Sequence, residues 1–248
     1  MKGLILAAGY ATRLYPLTKN TPKPLLKVAG KTILDYIVEK MDRVADIDEI
    51  IIVTNNKFAS HFEEWAEEAE YSKEFTVVND GTLTNEDRLG AIGDTQYVIE
   101  KLELADDLMI VAGDNLFDFE LTDFVDFFKE VGTDCITAYA EEDEEQIKRA
   151  GVVDLDENSK VLSFEEKPAE PKSNFAVPAF YIYEKDTLSF FKKYLEAGND
   201  PDAPGNFIPF LIEEKPVHAF QFEGKRYDIG TVESYERVQN IFEERVNN

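Results

Sequence analysis

Leu4-Ile5-Leu6-Ala7-Ala8-Gly9-Tyr10-Ala11-Thr12-Arg13 is the stretch that decides the fold. Three large aliphatic residues read as a buried strand, and the small residues behind them as a loop at its carboxyl end. Small side chains let backbone N–H groups approach an anion closely, and Arg13 supplies a fixed charge beside them. Ten residues on, Pro22-Lys23-Pro24-Leu25-Leu26 is a rigid arm that returns a second cation. The first 34 residues carry Lys2, Arg13, Lys19, Lys23, Lys27 and Lys31 but no Asp or Glu, in a chain of formal net charge -25. Such a cationic island marks where a small polyanion binds. A Gly/Ala-rich turn alone is a weak signal. No Gly-Lys-Ser/Thr follows it and no G-x-G-x-x-G is present, so neither common phosphate-loop motif applies.

Outward from this loop, apolar runs alternate with amphipathic stretches. Residues 2–6, 50–53, 75–78 and 108–111 read as strands; 33–44, 59–69 and 89–102 space their apolar residues by three and four and read as helices. The alternation predicts an α/β fold, a mostly parallel sheet with helices on both faces. Ligands of such sheets bind at the carboxyl ends of the strands, where residues 7–13 fall. The second half predicts a smaller, mixed β region. Residues 151–155 and 161–164 flank a polar turn and form a hairpin, 175–183 reads as one strand, 187–195 as a helix, and 207–212 as an apolar segment. Residues 232–246 form a last helix with Tyr235, Val238, Ile241 and Phe242 on one face. No repeat or long linker appears, so a single domain over residues 1–248 is expected.

Composition excludes several classes. Hydrophobic residues make up 44% and aromatics 12%, enough for a globular interior, while no apolar run reaches bilayer-spanning length. Strand residues directly follow Met1 and Lys2, so no signal-peptide layout is read and a cytoplasmic location is expected. The strong acidity argues against nucleic acid, whose backbone needs a broad positive surface. It fits a saline cytosol and simple solubility equally. One cysteine, Cys135, lies in an apolar run and reads as a buried, inert thiol. Glu141 to Glu145 read as a solvated loop or helix start, and His61 and His218 as structural.

Two carboxylates stand in turn contexts. Asp114 follows a buried strand in Ala112-Gly113-Asp114-Asn115, where it can hold Mg²⁺ or close an Asx-turn. Asp228 lies in Tyr227-Asp228-Ile229-Gly230-Thr231, as a metal ligand or as part of the cap of the last helix; Thr231 is the other candidate for that cap. Ser163-Phe164-Glu165-Glu166-Lys167-Pro168 ends a strand with two acids and a lysine pinned by proline.

Together these segments resemble the sugar-phosphate nucleotidylyltransferases, whose pattern runs L-A-(A/G)-G-x-G-(S/T)-R-L-x-P-L-T, then P-K-P, G-D-N, E-E-K-P and D-x-G-T. Residues 6–18 and 22–26 match its opening, with Ala11 at the second glycine, a place an alanine fills with negative φ. The resemblance implies a Rossmann-like three-layer fold, with about 1–115 binding nucleotide and about 116–248 binding sugar phosphate. It implies that Leu6, Ala7, Ala8, Gly9, Ala11 and Thr12 line the nucleotide, that Arg13 grips the triphosphate, and that Lys23 meets the α-phosphate. It implies Mg²⁺ on Asp114 and Asp228, and sugar-phosphate contacts from Gly151, Glu166 and Lys167. Asn85 and Gly90 take the nucleobase positions.

Departures from the pattern fall on the substrate side. Ala150 replaces a tyrosine, Ala176-Val177-Pro178-Ala179 replaces A-V-T-G, and no arginine lies near Pro204-Gly205-Asn206. The implied reaction joins dTTP or UTP to a hexose 1-phosphate and releases pyrophosphate; homo-oligomeric assembly is compatible with it. The alternative is a cytidylyltransferase acting on phosphocholine, with Phe180, Tyr181 and Tyr183 as an aromatic cage. A non-catalytic binding protein has no need of Arg13, Lys23, Asp114, Lys167 and Asp228 together.

Overall fold

A computed structural model describes residues 1–247. In chain order its main elements are β1 (Lys2–Leu6), β2 (Lys27–Val28), β3 (Lys31–Thr32), α1 (Ile33–Asp42), β4 (Glu49–Thr54), α2 (Ala59–Glu68), β5 (Glu74–Asn79), α3 (Ala91–Lys101), β6 (Leu108–Ala112), β7 (Asn115–Phe117), α4 (Leu121–Val131), β8 (Asp134–Ala140), α5 (Glu144–Ile147), β9 (Gly151–Leu155), β10 (Val161–Glu166), β11 (Phe175–Val177), β12 (Phe180–Tyr183), α6 (Leu188–Glu196), α7 (Phe207–Glu214), β13 (Val217–Gln221), β14 (Arg226–Asp228) and α8 (Val232–Asn247).

The period-two alternation of the strands builds three layers. Ile5, Ile50, Ile52, Met109, Val111, Phe180 and Ile182 face one core with residues of α1, α2, α4 and α8. Their neighbours Leu4, Ile51, Val53, Leu108, Ile110, Tyr181 and Tyr183 face a second core with residues of α3, α6 and α7. Strands buried on both faces explain why the first-half runs are continuously aliphatic. The sheet order is β10-β9-β11-β8-β12-β6-β1-β4-β5, with β13 also pairing β8. β6, β1, β4 and β5 are mutually parallel; β12 runs antiparallel to β6 and joins the second half to the first.

The β9/β10 hairpin forms as expected, with Ser159 taking the left-handed backbone of its turn. The expected single strand over 175–183 is two. Pro178 has no N–H to donate and fixes its φ, so the ladder breaks there; β11 pairs with β9 and the end of β8, while β12 pairs with β6 and the start of β8. Helix α4 and strand β13 had no counterpart in the sequence reading.

Asp134 fastens the second half internally. Its buried carboxylate accepts from Glu184 N at 2.7 Å and from Thr187 Oγ1, and pairs with Lys215 Nζ at 2.9 Å. Cys135 is fully buried, and burial pushes its thiol up. Asp143 caps α5 by accepting from Glu145 N and Gln146 N, so the acidic run begins a helix. Among the described residues no helix is long and apolar enough to cross a membrane.

Candidate active site

β1 and β6 lie side by side and end together, and their two exit loops make the floor of the site. Gly113 N donates to Leu6 O at 2.9 Å, and a Cβ on Gly113 would lie 2.9 Å from that oxygen and 3.3 Å from Pro24 Cγ. Only glycine allows this approach, which seats Asp114 against the Pro22-Lys23-Pro24 arm. Lys23 is 7% exposed, and its Nζ meets Asp114 Oδ2 at 2.9 Å. Asp114 Oδ1 accepts from Asn115 Nδ2 at 2.8 Å, and Asn115 Oδ1 accepts from Arg226 Nη1 at 3.2 Å. Desolvation alone would raise the Asp114 carboxyl, but the Lys23 ammonium, and then Arg226, hold it below its ordinary range. An ionised carboxylate 42% exposed at a strand end is the result.

The Ala7–Arg13 loop separates two hollows. A cavity of about 150 Å³ is lined by Leu6, Ala7, Gly9, Ala11, Arg13, Leu14, Lys23, Pro24, Asp114 and Gly230. A larger one, of about 440 Å³, shares Leu6, Gly9, Ala11 and Arg13 with it and adds Ala8, Tyr10, Thr12, Asn85, Arg88, Gly90, Ala91, Asp94 and Asp202. The residues read from the opening motif therefore converge with Asn85 and Gly90, which lie more than 70 positions further along the chain. Arg13 is exposed and makes no ion pair among the described residues.

The expectation of negative φ at Ala11 is overturned: Ala11 sits at φ 46°, ψ 43°. The left-handed conformation costs an alanine about 1–2 kcal/mol. Buried Thr18 offsets this, since its Oγ1 donates to Ala11 O at 2.8 Å while Leu14 N donates to the same oxygen at 3.0 Å. Three-residue 3-10 turns at Thr12–Leu14 and Lys23–Leu25 hold Arg13 and Lys23 in short, fixed arcs.

β14 pairs antiparallel with β7 and sets Asp228 opposite Asn115, one residue from Asp114. Tyr227 turns inward and meets Phe242 edge-on at 5.3 Å; Arg226 and Asp228 share the other face. The helix cap is Thr231, whose Oγ1 accepts from Ser234 N at 3.1 Å, so Asp228 is exposed and free of that duty. Two carboxylates from distant strands suit a hard divalent cation that takes its remaining oxygens from substrate and water. Among the described residues no group of three or more His, Cys, Asp or Glu could hold a metal alone.

On the far side, β9 and β10 set Gly151 opposite Glu166. A Cβ on Gly151 would meet Phe164 Cζ at 2.5 Å and Glu166 Oε2 at 3.2 Å, and one on Gly205 would meet the same two side chains. Lys167 follows with φ 48°, held by its N–H on Ala150 O at 3.0 Å, and its Nζ lies 3.3 Å from Glu166 Oε1. A non-glycine residue kept at positive φ stores strain of the kind that clusters at working sites. Arg226 links the two sides: its charge acts on Asp114, on Tyr139 and on Tyr181, and Tyr181 also feels Glu166. Sequence reading missed Arg226, although its position two residues before Asp228 on one strand was a usable signal. Phe180, Tyr181 and Tyr183 are 2% exposed or less and cannot form an aromatic cage.

Residues 2–245 match the family model described as nucleotidyl transferase. The UTP–glucose-1-phosphate uridylyltransferase of Synechocystis sp. is 29% identical over all of this chain and 65% of its own. The glucose-1-phosphate adenylyltransferase of Fervidobacterium nodosum is 28% identical over 94% of this chain and 59% of its own. The chain thus spans less than two thirds of the length of these relatives. The solved structure of UDP-glucose pyrophosphorylase complexed with UDP-glucose superposes with a TM-score of 0.81 at 23% identity, covering 98% of both chains, a likeness of fold.

Proposed function

The chain belongs to the nucleotidyl transferase family, and we propose that it transfers a nucleoside monophosphate from dTTP or UTP to a hexose 1-phosphate, with release of pyrophosphate. The carrying observation is the convergence of Arg13, Lys23 and Asp114 in one cavity that shares its wall with a second, larger cavity lined by Asn85 and Gly90.

In this reading the sugar-phosphate oxygen attacks the α-phosphorus in line, and the bond to pyrophosphate breaks. No proton has to be removed, because a phosphate dianion is already nucleophilic, so catalysis is alignment plus charge neutralisation. Backbone groups of Leu6, Ala7, Ala8, Gly9, Ala11 and Thr12 border the nucleotide, Arg13 binds the β- and γ-phosphates, and Lys23 answers charge growing at the α-phosphate. Asp114 and Asp228 would hold Mg²⁺, which when bound supplies charge neutralisation at the triphosphate oxygens. Lys167 orients the attacking phosphate, Glu166 accepts from sugar hydroxyls, and the Gly151 backbone faces the sugar. Arg226 adds a cation on that side, where no arginine stands near residues 204–206. The product is tested directly by mass spectrometry of a reaction of UTP or dTTP with glucose 1-phosphate.

Two substitutions separate the subsites. Lys167→Ala removes a charged contact to the attacking group only, and one charge-assisted bond is worth about 1.5–3 kcal/mol. The expected result is a rise of about tenfold or more in KM for the sugar phosphate, with KM for the nucleotide nearly constant. A change confined to the nucleotide KM removes Lys167 from its role. Asn85→Ala leaves a pyrimidine's ring groups unpaired, at about 1–3 kcal/mol. Parent enzyme should favour pyrimidine over purine triphosphates by about tenfold or more in kcat/KM, and the variant should lose that preference. A parent preference for ATP or GTP would sink the pyrimidine reading.

A further inference from the structure

Two buried carboxyl groups behind the larger cavity remain unused by the mechanism. Asp94, on the first turn of α3, is 6% exposed, and Asp80, just beyond β5, is 8% exposed. Asp94 Oδ1 and Asp80 Oδ2 are both buried without a hydrogen-bond donor. No Lys or Arg pairs with either among the described residues; of the two arginines that line the cavity, Arg88 is taken by Asp202 Oδ1 at 2.9 Å and Asn85 O at 2.8 Å, and Arg13 is exposed to solvent.

The two groups differ in their donors. Asp80 Oδ1 accepts from Thr82 N and from Thr82 Oγ1, both at 2.7 Å. No such donor reaches Asp94 Oδ1, and the group acting on it is the Asp80 carboxylate. Two like charges cannot both be buried side by side without a counter-ion, so one proton must compensate them. The remaining titratable neighbours do not supply a positive charge: Tyr10 is neutral, with its hydroxyl buried, and Glu86, Asp87 and Asp202 are acids.

We propose that Asp94 and Asp80 share one proton, and that this acid–carboxylate hydrogen bond positions the first turn of α3 against the exit of β5, fixing the wall of the nucleotide cavity. Asp94 is a positioning residue: it lines the cavity beside Gly90 and Ala91. The proposal rests on the nucleotide reading of that cavity. Burial first, and then the charge of Asp80, raise the Asp94 carboxyl from 3.8 to about 8. Between these two values the folded chain keeps a proton that the unfolded chain has released. Stability from this site is therefore greatest at low pH, falls as pH rises through that window, and levels off above about 8.

The test compares the parent with Asp94→Asn, which keeps the shape and donates an amide hydrogen to Asp80 without titrating. Thermal melts from pH 5 to 9.5 should show the variant gaining on the parent up to about pH 8 and no further above it. Calorimetric titration with UTP, without sugar phosphate, should give equal dissociation constants at pH 6.5. At pH 9 the parent should bind about tenfold more weakly than the variant, because only about a tenth of its sites keep the proton. Comparing the two proteins cancels the titration of the triphosphate itself. Asp80→Asn, which donates to Asp94 from the other side and removes the neighbouring charge, should move both profiles to lower pH without flattening them, because burial still raises the Asp94 carboxyl. A pH-independent difference in melting temperature would overturn the shared proton. A pH-independent ratio of dissociation constants would overturn its hold on the cavity wall. If neither protein binds any nucleotide while the melting difference still tracks pH, the nucleotide reading falls and the shared proton stands.

Discussion

Asp114→Ala is expected to lower kcat by about 10³-fold or more in Mg²⁺, while the fold survives. The size follows from charge neutralisation by a metal, worth several kcal/mol in a phosphoryl transition state, at tenfold per 1.4 kcal/mol. The fold survives because the Asp114 side chain is 42% exposed and fills no core position. The loss has a second source, since the carboxylate also fixes the buried Lys23 ammonium at 2.9 Å. Asp228→Ala should lose nearly as much activity and less stability, because Asp228 is exposed and caps no helix. Steady-state rates across a Mg²⁺ series, with circular dichroism as the control for folding, separate the cases. Near-parental kcat in either purified variant removes that residue from the metal role.

Lys23→Met keeps the length of the side chain and deletes its charge. We expect kcat to fall about 10²–10³-fold, the loss typical when one preorganised donor to a developing charge is removed. The KM of the nucleotide should move far less, because the ammonium is largely engaged by Asp114 before substrate arrives. The Asp114→Ala and Lys23→Met losses should not add, since each variant also disturbs the other's partner. A Lys23→Met enzyme with normal kcat and a raised nucleotide KM would make Lys23 a binding residue alone.

The first half was legible because β1, β4 and β6 are buried on both faces, so aliphatic runs and small-residue exits carry the signal without knowledge of the sheet. Arg13, Lys23, Asp114 and Asp228 were legible as motif positions; the first three share a cavity because β1 and β6 end side by side, and β14 sets Asp228 opposite Asn115. What stayed hidden was set at long range. Ala11 tolerates positive φ because Thr18, seven residues on, holds its carbonyl. The break at Pro178 was written in the chain, but the change of partners it causes needs β9, β6 and β8 in position. Asp94 reads as an ordinary polar helix residue until Asp80 is brought against it. Arg226 belongs to a different class, since alternation along one strand already placed it beside Asp228.

Pyrophosphate release from purified protein, measured for five nucleoside triphosphates against several sugar 1-phosphates and phosphocholine, tests the transfer reaction itself. The proposed transfer predicts release that depends on Mg²⁺, requires a sugar 1-phosphate, and is largest with UTP or dTTP. An absence of release with every sugar 1-phosphate, or release that continues unchanged when the sugar phosphate is left out, would contradict it.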